Sequence, residues 1–429
     1  MSISGCTVSS VEAGRRHIDI GSTLNWGHCD EHFTNYMTTI GIDNSLADRV
    51  QCTTLSVPLD YNDPDGRQIE LAISRVQSAS GGEASRSLFL NPGGPGLEGR
   101  SMPAIVESVA QLPREIDLIG FDVRGTGASE THSCPELDNL EPPDITDPEA
   151  AAATYARSVE SANIACVERD RPYFEQLTVE NAAHDMDQIR AAIGQDALSY
   201  YGASWGTSLG AVYRSYFPDH VRTIALDSMN YLGDSTVTAQ ADIARAQQEY
   251  SPNSHPALMH NSDDLQDELS TVAPELEQGP EPTVTIPAIN PLTNTTRTAL
   301  ICNTFSDVGT AEQQWKEQVH LAEEFAFDYS DRIALPGSSE LAGLSLCTGW
   351  PLRHQQHAVR DTNTSLLIIG HEREVITPYI WAVQAHQQLG GELLTITDAD
   401  HGSALGAACS STVLNYLSTG KVNENRCDP

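Results

Sequence analysis

The sequence predicts an α/β protein with a mostly parallel, doubly wound sheet of eight strands, interrupted by an inserted, mainly helical cap. Three observations support this. Short apolar runs recur along the chain, the later ones alternate with helical patterns, and one long stretch breaks the alternation.

Thr54 to Leu59 and Ile69 to Val76 read as strands joined at the turn residues Asp63 to Arg67, an antiparallel edge hairpin. Ser87 to Asn91 and Ile116 to Asp122 continue the series. It resumes with Leu198 to Ala203, Thr223 to Asp227, Leu366 to Gly370 and Leu393 to Thr397. Leu88-Phe89-Leu90 and Leu366-Leu367-Ile368-Ile369 are apolar throughout, as expected of strands covered on both faces. Helical patterns run over Asn181 to Ile193, ending at Gly194, and over Thr207 to Phe217.

These elements divide the 429 residues into an N-terminal extension (1–47), a first part of the core (48–229), a cap (230–350) and a C-terminal part of the core (351–429). The first part contains an insertion at 131–180, rich in Pro, Glu and Asp before turning helical near Pro148. A stretch as long as 230–350 cannot be a loop and must carry its own structure, placed over the sheet's C-terminal edge. The length would allow two or three domains, but one core interrupted by its cap explains it better.

Composition excludes several functions. With 24 basic and 59 acidic side chains the formal charge is 24 − 59 = −35, and the two lysines are Lys316 and Lys421. Nucleic acid and anionic membranes need clustered basic charge, which is missing. No apolar run approaches the ~20 residues of a spanning helix. Met1 to Gly14 lacks a basic start followed by an apolar stretch, so the chain is expected to be soluble, and either cytoplasmic or already processed. Oligomeric state cannot be read from the sequence.

None of the nine cysteines forms a Cys-x-x-Cys pair, which argues against a zinc ribbon or a thioredoxin-like site. Their local order suggests disulfides. Cys134 and Cys166 flank one insertion, Cys302 and Cys347 lie in the other, and Cys409 and Cys427 bracket the last helix. Spacing does not fix connectivity. The odd total leaves a thiol over, with Cys6 the candidate, and buried reduced cysteines are the alternative.

Gly202-Ala203-Ser204-Trp205-Gly206 stands between a strand and a helix. There the glycines permit a sharp turn that exposes the serine hydroxyl above the sheet, and the helix N-terminus favours developing negative charge. Ser204 is therefore the candidate nucleophile, and it needs a base with an orienting acid. On sheets with such an elbow the chain order is serine, acid, histidine. His401, in the loop after the last strand, is the candidate base; His371 and His386 fit that order less well. Glu374, after the penultimate strand, is the preferred acid, with Asp227 and Glu372 left open. The oxyanion of acyl transfer needs two N–H donors. Trp205 follows the nucleophile, and Gly94 lies in the loop Asn91-Pro92-Gly93-Gly94-Pro95-Gly96. That loop lacks a Gly-Lys-Ser/Thr ending, and Gly125 with Gly127 reads as a turn rather than a nucleotide motif.

With these residues the chain resembles the tripeptidyl aminopeptidase and proline iminopeptidase branch of the α/β-hydrolases, over about residues 48 to 427. The resemblance rests on Cys52 to Tyr61, Asn91 to Gly96, Asp122 to Ser129, Gly202 to Gly206, Cys347 with Trp350-Pro351, Thr377-Pro378 and the tail Cys409 to Cys427. It implies an α/β-hydrolase fold, release of short N-terminal units from peptides through an acyl-enzyme, Ser204, Glu374 and His401 at the triad positions, and no cofactor or metal. Secreted relatives share the cysteine pattern. The family usually has Asp where Glu374 stands and small residues where this chain has Leu97-Glu98, which makes Glu98 a candidate substrate contact. The acidic run Asp263 to Glu281 in the cap could draw in a cationic amino terminus. Two alternatives remain: an esterase, lactonase or hydrolase of a small biosynthetic intermediate, and a binding protein on a hydrolase scaffold.

Overall fold

The computed structural model describes residues 24–42, 46, 49–80, 86–110, 112, 115–138, 140, 148–250, 292–305, 309–310, 312–313, 316, 320, 324, 346–352, 359–406 and 409–428. Cys6 and the acidic run at 263–281 lie outside them.

The strands are β1 Val50–Pro58, β2 Gln68–Val76, β3 Arg86–Asn91, β4 Ile116–Phe121, β5 Leu198–Ala203, β6 Val221–Asp227, β7 Leu366–His371, β8 Glu392–Ile396 and β9 Arg426–Cys427. They form one sheet in the order β1-β2-β4-β3-β5-β6-β7-β8-β9. β1 and β2 make the expected antiparallel hairpin, β2 is antiparallel to β4, and every later pairing is parallel. The expectation of eight strands is corrected to nine among the described residues. β9 is two residues long and carries no apolar run; it joins the edge because Cys427, disulfide-bonded to Cys409, is drawn alongside Thr395 and Ile396.

Alternate residues of the central strands serve opposite faces. Phe89, Tyr200, Ile224, Leu226 and Ile368 pack with the helices Val179–Ala192, Trp205–Tyr216 and Tyr379–Leu389. Leu88, Leu90, Tyr201, Ala225, Leu367 and Ile369 pack on the other side with Glu31–Thr39, Met102–Val109 and Ser410–Thr419. That two-sided burial is why these strands are apolar throughout. The helix Glu31–Thr39 is capped by Asp30, whose carboxylate accepts from Phe33 N–H, and it buries Phe33 and Met37. This part of the extension therefore belongs to the core.

The described cysteines pair as Cys29–Cys52, Cys134–Cys166, Cys302–Cys347 and Cys409–Cys427. Three of these match the expected neighbourhoods. The Cys29–Cys52 bond ties the segment before the first helix to β1 and was not anticipated. In the 131–180 insertion the helix Pro148–Arg169 begins where the sequence turned helical. Helices Thr236–Tyr250 and Leu292–Cys302 stand on either side of residues 251–291. The second is anchored over the sheet's edge, where Thr296 Oγ1 donates to the Gly125 carbonyl.

The stretch Asp122 to Ser129 is a structural turn. Asp122 accepts from Arg100 and from Ala128 N–H, and Ser129 Oγ donates to the Asp122 carbonyl. Arg124, fully buried, is bidentate to Asp185 at 2.8 and 2.6 Å and also donates to the carbonyls of Pro58, Leu59 and Gln176. It thereby fastens the β1–β2 hairpin to the helix Val179–Ala192. Replacing Arg124 by leucine leaves the Asp185 carboxylate buried without its cation. Urea denaturation of Arg124→Leu should show a loss of about 3–5 kcal/mol, and an unchanged midpoint would contradict this role.

Candidate active site

Ser204 sits between β5 and the helix Trp205–Tyr216 with φ 55° and ψ −127°, a backbone region that costs a non-glycine residue of order 1–3 kcal/mol. Several contacts hold it there. Ser204 N–H donates to the Asp227 carbonyl at 3.0 Å, and the Ser204 carbonyl accepts from Thr207 N–H and Oγ1. A Cβ on Gly202 would meet the Gly206 carbonyl oxygen at 2.5 Å, so the first glycine of the motif is required by crowding.

The glycine loop after β3 lies directly on this elbow. A Cβ on Gly93 would come within 2.5 Å of the Ala203 carbonyl oxygen and 2.8 Å of Trp205 N. Gly93 N–H is committed to Asn91 Oδ1 at 2.9 Å. Gly94, the expected donor, is the next residue, at φ 106°, and its peptide bond to Pro95 is cis.

His401 and Ser204 are each 9% exposed, and Glu374 is 1% exposed. His401 Nδ1 is hydrogen-bonded to Glu374 Oε1, which also accepts from Thr377 N–H at 3.1 Å and from Thr377 Oγ1. The glutamate is thus fixed by the Thr377-Pro378 turn. The loop holding His401 is pinned to the ends of β5 and β6: Gly402 N–H donates to Ser228 Oγ at 2.8 Å, Ala404 N–H to Asp227 Oδ2 at 3.0 Å, and Tyr201 O–H to the Gly402 carbonyl at 3.3 Å. A Cβ on Gly402 would lie 3.3 Å from Ala203 Cβ, so the residue after His401 abuts the residue before Ser204.

The other two candidate acids point elsewhere. Asp227, fully buried, accepts from Tyr201 O–H at 2.5 Å and pairs with His371 Nε2 at 2.9 Å. Glu372 pairs with Arg426 near the surface. His371 is fully buried, with Nδ1 2.5 Å from Asp398 Oδ1, and His386 lies on the helix Tyr379–Leu389. Glu98 is half-buried, 4.0 Å from His32 and close to Gly127. Burial, and then the charge of Asp122, raises its pKa above the usual carboxylate range.

A model described as the alpha/beta hydrolase fold matches residues 86–251, and one described as TAP-like protein matches 336–427. The chain belongs to the α/β-hydrolases and is a serine hydrolase. Its relatives include tripeptidyl aminopeptidases and other hydrolases. It is 26% identical to a tripeptidyl aminopeptidase of Streptomyces lividans, over 98% of this chain and 88% of that protein. It is 34% identical to serine protease Hip1 of Mycobacterium tuberculosis, over 41% of this chain and 35% of that protein. It is also 34% identical to a carboxylesterase B of the same species, over 47% of this chain and 39% of that protein.

The Asp227–His371–Asp398 group was missed from sequence, where a buried histidine at a strand end looks like any other. Burial alone would discharge His371, but Asp227 and then Asp398 hold its pKa up to about 11. The folded chain therefore keeps a proton that the unfolded chain releases near the ordinary value of 6.5. This group's contribution to stability is complete below that value and is lost as pH rises toward the folded one. The thermal midpoint should fall as pH is raised from about 7 to about 10, and by less in His371→Asn. Parallel curves for the two proteins would count against an imidazolium here.

Proposed function

We propose that the protein is an aminopeptidase that releases short N-terminal units from peptides through an acyl-enzyme, with Ser204 as nucleophile, His401 as general base and Glu374 as orienting acid. The observation that carries this reading is the His401–Glu374 hydrogen bond in a loop fastened to the Ser204 elbow. With Nδ1 held by Glu374, His401 Nε2 takes the proton as Ser204 Oγ attacks the carbonyl. The tetrahedral oxyanion is held by the N–H groups of Trp205 and Gly94. His401 then protonates the leaving amine, and water attacks the acyl-enzyme by the same route in reverse.

The cap assigned to 230–350 would set how many residues precede the scissile bond. Glu98, beside the glycine loop, would meet the substrate's ammonium group. The chemistry needs no cofactor. An ester substrate is the second reading, favoured by the identity to carboxylesterase B.

Ser204→Ala, and separately His401→Ala, should lower turnover of a responsive aminoacyl or tripeptidyl amide by about 10⁴-fold or more. Both variants should remain folded, and Ser204→Ala should lose labelling by a fluorophosphonate. Wild-type turnover in either variant would remove the triad. Rates on amides and esters of the same acyl group decide the substrate: a panel in which only esters are cleaved would favour the second reading.

A further inference from the structure

The side chain that this chemistry leaves unused is His371. It ends β7, is fully buried, and has a carboxylate against each ring nitrogen: Asp398 Oδ1 at 2.5 Å from Nδ1 and Asp227 Oδ1 at 2.9 Å from Nε2. A neutral imidazole has one N–H to donate, so a ring that donates from both nitrogens is an imidazolium.

Its two partners lie at the two ends of the loop that carries His401. Asp398 opens that loop, and its carbonyl accepts from Arg373 N–H at 2.9 Å. Asp227 closes it, because Asp227 Oδ2 accepts from Ala404 N–H. His401 lies between these anchors, and Asp227 also holds the Ser204 N–H through its carbonyl.

We infer that His371 is a positioning residue for the catalytic histidine: clamped between Asp227 and Asp398, it fixes both ends of the 398–404 loop against the Ser204 elbow. The inference rests on the triad proposed above. Without the imidazolium two carboxylates would share one buried site. They repel, and the repulsion displaces the loop.

The charges around the ring give the effect a sign. Asp227 comes from β6, with Tyr201 of β5 bonded to it; Asp398 and Asp400 come from the segment after β8, and Glu374 from the turn after β7 itself. Burial would raise Asp227, but His371, ahead of Tyr201 and the Ala404 N–H, draws it below the usual carboxylate range. The group is therefore a cation between two carboxylates. Removing the cation leaves more negative charge near His401 and favours its protonated form. Removing Asp398's charge does the opposite.

The test uses the full chain and a fluorophosphonate probe, with folding checked by circular dichroism. The labelling rate is measured from about pH 5 to 9 for wild type, His371→Asn and Asp398→Asn. His371→Asn should label about tenfold more slowly or less at pH 7, with the acid-limb midpoint moved up by about half a unit or more. Asp398→Asn should also be slower, with the midpoint moved down. A merely structural loss would not shift the two midpoints in opposite directions.

A folded His371→Asn with the wild-type rate and midpoint would overturn the inference. If His371→Asn does not fold, Asp398→Asn decides, and an unmoved rate and midpoint there would also overturn it. A folded wild type that is never labelled removes the serine nucleophile and this inference with it. Normal wild-type labelling with unaffected variants removes the inference alone.

Discussion

The backbone carbonyl of Asp227 accepts the Ser204 N–H at 3.0 Å, while its buried carboxylate accepts from Tyr201, His371 and Ala404. One residue thus bears on the strained nucleophile, the strand before it and the loop of the candidate base. A backbone at φ 55° persists only where its surroundings over-determine it. Here the determinants are the β6 carbonyl, the first turn of the helix Trp205–Tyr216, and the glycine loop pressed onto the elbow at Gly93. Displacing any one would relax Ser204, so the sheet order β3-β5-β6 is itself a condition of the site.

Farther out, covalent bonds do the equivalent work. The described disulfides span sequence separations of 23, 32, 45 and 18 residues, and loops of that size constrain the unfolded chain by about 3–4 kcal/mol each. They lie outside the central strands: Cys29–Cys52 before the first helix and on the edge strand β1, Cys134–Cys166 at the helix Pro148–Arg169, Cys302–Cys347 at the end of the helix Leu292–Cys302, and Cys409–Cys427 at the tail. The parallel strands are held by apolar burial on both faces, whereas the peripheral segments are stapled. Arg124 and Arg100 add a polar version of the same device, fastening Asp185, Asp122 and Asp30 across elements.

Much of this was legible in the sequence because parallel strands buried on both faces are apolar without alternation. Leu366 to Ile369 could hardly be anything else, and Gly202 to Gly206 falls at a strand-to-helix junction. β9 was illegible because two residues, Arg426 and Cys427, carry no strand pattern, and the tail's disulfide helps to bring them to the edge. Cys29 escaped notice because it stands in a polar segment before the first strand, with no element there to suggest a partner. The choice among Asp227, Glu372 and Glu374 was open for a deeper reason: all three follow strand ends, and chain order does not say where a carboxylate points. Side-chain partners separate them, because Asp227 is occupied by His371 and Tyr201, and Glu372 by Arg426.

Glu374, Asp398 and Asp400 gather around His371, which is already engaged by Asp227 and Asp398, whereas Glu98 lies by Asp122 and Arg100. Asp400 is raised chiefly by burial and then by Asp398, and Glu98 chiefly by burial and then by Asp122. A carboxyl whose ionisation is resisted by burial and by a neighbouring carboxylate gains from a ligand that brings a positive charge, since that charge relieves repulsion as well as forming a pair. A peptide's α-ammonium group has that property and a neutral ester does not. On the proposed aminopeptidase reading, part of the net charge of −35, which first served to exclude anionic partners, would favour the ammonium group of a peptide over a neutral ester.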